Sequence, residues 1–131
     1  MKYLFDTSVW LWSLSAPQRI GREGLSVLGR GDEEFYFSAV SSWEIAIKWA
    51  RGKLPLPEPP ASYVPKRMSD QGIRPLPITH SHTLAVSELP AHHWDPFDRL
   101  LIAQAQTEEM TILTADRTIR LYDVQIVWCG D

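Results

Sequence analysis

Short apolar runs alternate along this chain with longer stretches whose apolar positions recur at helical spacing. Tyr3-Leu4-Phe5 is a strand-length run stopped by Asp6. Phe35-Tyr36-Phe37 is a second, followed by a serine-rich turn and a helical pattern from Trp43 to Ala50, with Gly52 just past its end. Lys53 to Pro60 carries four prolines and predicts an extended loop. A short polar helix is expected from Ala61 to about Gln71, and a third strand from Ile73 to Thr79, its prolines blurring the ends. His80 to Leu89 and Asp95 to Glu109 read as helices, and Met110 to Leu113 as a fourth strand. One or two helical turns follow from Arg117 to Tyr122, and Val124 to Trp128 is the last strand. Strands alternating with helices predict an α/β fold in which a mostly parallel sheet of about five strands carries helices on both faces.

Composition changes this picture little. The 131 residues suit one domain, with no repeat and no low-complexity tract. No apolar run approaches the length of a membrane span, and MKYLFDTS meets an aspartate before any signal-type apolar region develops. Cys129 is the only cysteine, which suits a reducing cytoplasm. A formal charge of −3 does not announce a nucleic-acid partner.

The acidic residues change it more. Asp6 ends the first strand, and Glu44 is expected in the first turn of the helix after the second. Asp98 falls in the first turn of the long helix, and Asp116 follows the fourth strand in LTADR. In an open parallel sheet, ligands bind at the carboxyl ends of the strands, where the following helices begin. Each acid has a local alternative. Ser41-Ser42-Trp43-Glu44 matches a capping box, Asp116 is placed to cap a helix from Arg117, and Asp6 reads as a turn residue. Asp95, before Pro96, fits an N-cap, and a negative charge at Asp98 suits the helix dipole. Four carboxylates at one edge repel each other unless a hard cation neutralises them, and oxygen ligands alone favour Mg²⁺ or Mn²⁺.

LFDTSVWLW, SAVSSWEIAIKWARGKL, HHWDPFDRLLIAQAQ and ILTADRTI, in that order and spacing, resemble a PIN-domain protein, closest to the VapC-type toxins of bacterial toxin–antitoxin pairs. The resemblance covers nearly the whole chain and implies a PIN-like fold over residues 1–131. It implies an Mg²⁺- or Mn²⁺-dependent endoribonuclease that inhibits growth, a homodimer, and a small VapB-like antitoxin as partner. The family's acidic quartet falls on Asp6, Glu44, Asp98 and Asp116, as metal ligands and catalytic residues, with Thr114 as a supporting polar residue. Ser8 departs from the histidine that close relatives often carry.

The basic residues around the expected cleft are Lys48, Arg51 and Lys53 on one segment, and Arg99, Arg117 and Arg120 near the later acids. Lys48, Arg51, Arg99 and Arg117 are the candidate phosphate contacts to RNA, against the alternative of a solvated helix surface. Six tryptophans exceed what one small core needs, so some are expected at interfaces. The four histidines lack a zinc-binding spacing and are assigned surface or supporting roles. Two other functions remain open: a non-catalytic RNA- or partner-binding PIN domain, and an aspartyl-phosphate phosphatase with Asp6 as nucleophile. The second aspartate that such a phosphatase uses as general acid is missing.

Overall fold

In a computed structural model describing residues 1–131, five strands form one sheet. They are β1 (Lys2–Phe5), β2 (Glu34–Ser38), β3 (Arg74–Leu76), β4 (Thr111–Thr114) and β5 (Ile126–Trp128). Every neighbouring pair is parallel, in the order β3-β2-β1-β4-β5. The expected α/β architecture is therefore present, and all five carboxyl ends share one edge.

Strand periodicity divides the core in two. In β1, Tyr3 and Phe5 enter one apolar cluster, while Leu4, pointing the other way, enters the second. Register keeps the division across the sheet: Leu4 pairs with Ile112 and Phe5 with Leu113, each pair within one cluster. Helices α1 (Thr7–Ser15), α2 (Arg22–Leu28) and α4 (Pro60–Gln71) bury Val9, Trp10, Val27, Tyr63 and Val64 on the Phe5 side. Helix α6 (Pro96–Glu108) buries Leu101, Ile102 and Ala105 on the Leu4 side, beside α5 (His80–Ala85). Helix α3 (Ala39–Ala50) contributes Val40 to one core and Ile45 to the other.

The hydrophobic pattern leaves α1 and α2 unassigned. Helix α1 is apolar on most sides, with Leu11, Trp12 and Leu14 packed around its buried Val9 and Trp10, so it carries no 3.6-residue polar alternation. Helix α2 contains Gly24, where a Cβ would stand 2.6 Å from Cys129 Sγ, and this close approach to the end of β5 explains a helix-weakening residue.

Helix α3 corrects the expected start at Trp43. Ser38 caps it, its Oγ accepting from the Val40 N–H at 3.0 Å, so the helix begins at Ala39. The serines taken for a turn lie inside it. Ser41 is buried and accepts a hydrogen bond from the Thr7 hydroxyl at 2.8 Å, tying α3 to the start of α1. No Ser41–Glu44 capping box forms, and Glu44 lies in the second turn. The other end follows the sequence: Gly52 has φ 71°, and the N–H groups of Gly52 and Lys53 return to Trp49 and Lys48 carbonyls. The third strand shrinks to Arg74–Leu76 at the sheet edge, where Pro75 is tolerated, and the turns after Asp116 tighten to a 3₁₀ segment at Ile119–Leu121.

Candidate active site

Asp6, Glu44, Asp98 and Asp116 line one open cleft of about 310 Å³ at the carboxyl edge of the sheet, with Ser8, Lys48 and Asp95 on its rim. Asp6 and Asp116 follow the neighbouring strands β1 and β4, and Glu44 and Asp98 reach in from α3 and α6. On α6, Asp98 heads the stripe that continues through Ile102 and Ala105, both buried, so the helix face that packs on the sheet also delivers the carboxylate.

The local alternatives separate by their hydrogen bonds. Asp95 caps α6, its Oδ1 accepting from the Asp98 N–H at 2.9 Å. Asp6 sits at the N-cap position of α1 but makes no side-chain cap bond. Its Oδ2 instead accepts from the Thr114 hydroxyl at 2.8 Å, and Thr114 Oγ1 in turn accepts from the Asp116 N–H at 3.0 Å. Thr114 thus joins the two strand-end acids. Asp116 Oδ1 accepts from the Thr118 N–H at 2.9 Å, which supports the bend after β4 while leaving the residue on the cleft wall.

Burial makes this cluster unstable as a set of free charges. Asp6 is only 8% exposed, and its pKa is raised to about 7. Loss of solvent is the largest cause; the Thr114 hydrogen bond opposes it, and repulsion from Asp98, Asp116 and Glu44 adds to it. Asp98 is also raised to about 7, first by burial, then by the charges of Asp95, Asp116 and Glu44, and by a hydrogen bond shared with Asp116. Glu44 finds a cation of its own, Lys48, whose Nζ stands 2.6 Å from Oε2 one helical turn on. His93 Nε2 lies 3.2 Å from Asp98 Oδ2. No three His, Cys, Asp or Glu side chains stand closely enough together to hold a metal as they are. The donor set is nonetheless all carboxylate oxygen, and neither Asp6 nor Asp116 has a salt-bridge partner. That chemistry fits a hard divalent cation, whose charge would replace the repulsion.

The basic candidates divide. Lys48 is on the cleft, exposed and ion-paired with Glu44. Arg51 and Arg117 are exposed outside its lining. Arg99 corrects the sequence expectation: it is 6% exposed and donates to the carbonyls of Pro90, His93, Val86 and Leu89 and to the Tyr122 hydroxyl. Its guanidinium organises the loop before α6 and is not free for RNA. Among the histidines, His82 is a core residue, 1% exposed with Nε2 2.7 Å from Glu108, while His93 supports Asp98. Sequence gave no sign of the His93 contact beyond its place five residues before Asp98. Trp43 and Trp94 are 54% and 75% exposed.

Comparison with known proteins agrees with this fold. A family model described as the PIN domain matches residues 3–125. Ribonuclease VapC16 of Mycobacterium tuberculosis is 61% identical over 46 residues, a stretch covering 35% of this chain and 33% of that protein. VapBC2 of Rickettsia felis, solved bound to a DNA fragment from its promoter, superposes with a TM-score of 0.71 at 14% identity, over 96% of this chain and 97% of that one. A toxin–antitoxin complex from Klebsiella pneumoniae superposes with a TM-score of 0.57 at 16% identity, over 87% and 86% of the two chains.

Proposed function

The chain belongs to the PIN-domain family, and from that premise we propose that it is a metal-dependent endoribonuclease acting as the toxin of a toxin–antitoxin pair. The observation that carries the reading is the convergence of Asp6, Glu44, Asp98 and Asp116, far apart in sequence, on one cleft where burial raises the pKa values of Asp6 and Asp98. Kinship with a protein named as a ribonuclease supports the substrate class, and likeness to toxin–antitoxin structures supports a small VapB-like partner. We further propose that one domain spans residues 1–131 and that the chain works as a homodimer in the cytoplasm; no helix is long and apolar enough to cross a membrane.

The four carboxylates would hold Mg²⁺ or Mn²⁺, which supplies Lewis acidity toward the phosphate oxygens and the attacking water. Asp6 would be the deep, fixed ligand: Thr114 holds one of its oxygens, and burial keeps it from bulk water. Glu44, now paired with Lys48, would be a further ligand, and the Lys48 ammonium beside it would meet a phosphate. The reaction is hydrolysis: water adds to phosphorus, the P–O3′ bond breaks, and the products carry 5′-phosphate and 3′-hydroxyl ends. No side-chain nucleophile enters. The phosphatase alternative is weaker, since Asp6 is buried and hydrogen-bonded to Thr114.

Induced expression in a bacterial host tests the reading. The parent should arrest growth and leave 5′-phosphate ends at discrete positions in cellular RNA, and Asp6→Asn at equal protein level should do neither. Arrest by Asp6→Asn equal to the parent's would remove the metal-site mechanism; no new RNA ends from the parent would favour a non-catalytic PIN domain.

A further inference from the structure

A hydrogen-bond chain runs from α6 through Tyr122 to His93, in the loop before α6, and ends on a cleft carboxylate. Its first member is the buried Arg99, whose Nη1 donates to the Tyr122 hydroxyl at 3.2 Å. The main-chain N–H of His93 donates to the same hydroxyl at 3.3 Å. A phenolic oxygen has two acceptor sites and one proton to give. Both acceptor sites of Tyr122 are thus engaged by groups that can only donate. Its one proton faces two acceptors, His93 Nδ1 at 2.7 Å and the His93 carbonyl at 3.4 Å; the shorter contact takes it, so Nδ1 is the acceptor. In a neutral imidazole the proton must then be on Nε2, and Nε2 is the atom 3.2 Å from Asp98 Oδ2. The His93 ring also meets the Tyr122 ring edge to face, centroids 5.5 Å apart, which restricts its rotation.

We propose that His93 is a positioning residue for Asp98: Arg99 and Tyr122 hold it as the Nε2–H tautomer, and its single N–H fixes the rotation of the Asp98 carboxylate in the cleft. The proposal rests on the reading of Asp98 as a metal ligand. It assigns His93, Tyr122 and Arg99 work that neither fold nor family membership requires of them. It also explains why Arg99 is spent on one loop: four of its five acceptors lie on or before His93, and the fifth is the hydroxyl that sets the tautomer. Partners that orient a ligating side chain typically matter about 10- to 100-fold in metal affinity.

Two side chains separate positioning from mere packing. The glutamine amide nitrogen superposes on imidazole Nε2 and reaches Asp98, whereas the asparagine amide stands in for Nδ1 and reaches only Tyr122. Mn²⁺ affinity, read by electron paramagnetic resonance, should be kept within a few-fold in His93→Gln and fall about 10- to 100-fold in His93→Asn. Nitrogen-15 spectra of the metal-free parent should show His93 with a pyridine-type Nδ1 and a pyrrole-type Nε2, and Tyr122→Phe should disturb that pattern. Asp98→Asn is the control for the underlying reading. If it weakens Mn²⁺ while His93→Asn binds like the parent, positioning is overturned and the metal site stands. If Asp98→Asn itself binds Mn²⁺ like the parent, the metal role of Asp98 falls and the proposal with it. A pyrrole-type Nδ1 in the parent overturns the tautomer assignment whatever the affinities.

Discussion

Replacing Asp6 by asparagine removes the most deeply buried charge of the cleft without changing its shape. In the folded chain the Asp6 carboxyl has a pKa raised from 3.8 to about 7. The folded state therefore holds this proton more tightly than the unfolded one. Below about pH 4 the carboxyl is protonated in both states and costs nothing. Between pH 4 and pH 7 the unfolded chain ionises first, and stability is lost as pH rises; above about pH 7 the loss is complete. A span from 3.8 to about 7, at ~1.4 kcal/mol per pH unit, is about 4 kcal/mol. Asparagine keeps an oxygen for the Thr114 hydroxyl but has its own cost of burial, so we expect a net gain of about 1–4 kcal/mol, or roughly 4–15 °C in Tm. Thermal melts in EDTA from pH 4 to pH 8 measure this directly. The variant should melt no higher than the parent at pH 4 and progressively higher toward pH 8. Saturating Mg²⁺ at pH 8 should raise the parent and close the gap, since only the folded parent gains a cation. A variant less stable than the parent at pH 8 in EDTA, or a gap independent of pH, would refute the electrostatic argument and return Asp6 to a structural role.

The two aspartates that bracket Pro96 should separate cleanly. Asp95→Ala loses a cap worth roughly 1 kcal/mol and keeps metal-dependent cleavage, Asp95→Asn changes neither, and equal loss of cleavage in both would show that Asp95 serves the site. Arg99→Lys keeps the charge but loses the fork that serves five acceptors, so thermal unfolding should show about 2–4 kcal/mol of destabilisation; an unchanged Tm would contradict the buried clamp. Burial, with the charges of Glu23 and Asp6, pushes the Cys129 thiol up to about 12. A thiol reagent at pH 8 should therefore label it only as fast as the chain unfolds, and rapid labelling of the native protein would show that β5 opens locally.

Where sequence and structure agree, one local signal settles each feature. Asp95-Pro96 starts α6, Gly52 ends α3, and the apolar triplets of β1 and β2 are too short and too continuous for helices of their own. Asp6, Asp98 and Asp116 were legible because each stands beside a strand end or helix start, whereas Glu44 lies a turn further into α3 than its sequence pattern suggests. What stayed hidden depends on partners distant in the chain. Ser41 reads as a turn residue until Thr7 is found against it, 34 positions away. Arg99 reads as a surface cation because nothing local shows that five acceptors surround it. His82 reads as polar surface, yet it is buried because Glu108, Gln104 and the Thr79 N–H satisfy both of its nitrogens. Helix α1 escaped for the opposite reason, having no polar face to mark its period.

The central claim is that the four cleft carboxylates bind one kind of divalent cation and that RNA is cut there. Cleavage of an end-labelled RNA by the purified chain tests it most directly, with Mn²⁺, with Mg²⁺ and with EDTA, beside Asp98→Asn shown to be folded by its melting curve. The account predicts metal-dependent fragments with 5′-phosphate ends from the parent, none in EDTA, and none from Asp98→Asn under any condition. Cleavage that persists in EDTA, or a folded Asp98→Asn that cuts as fast as the parent, would contradict it.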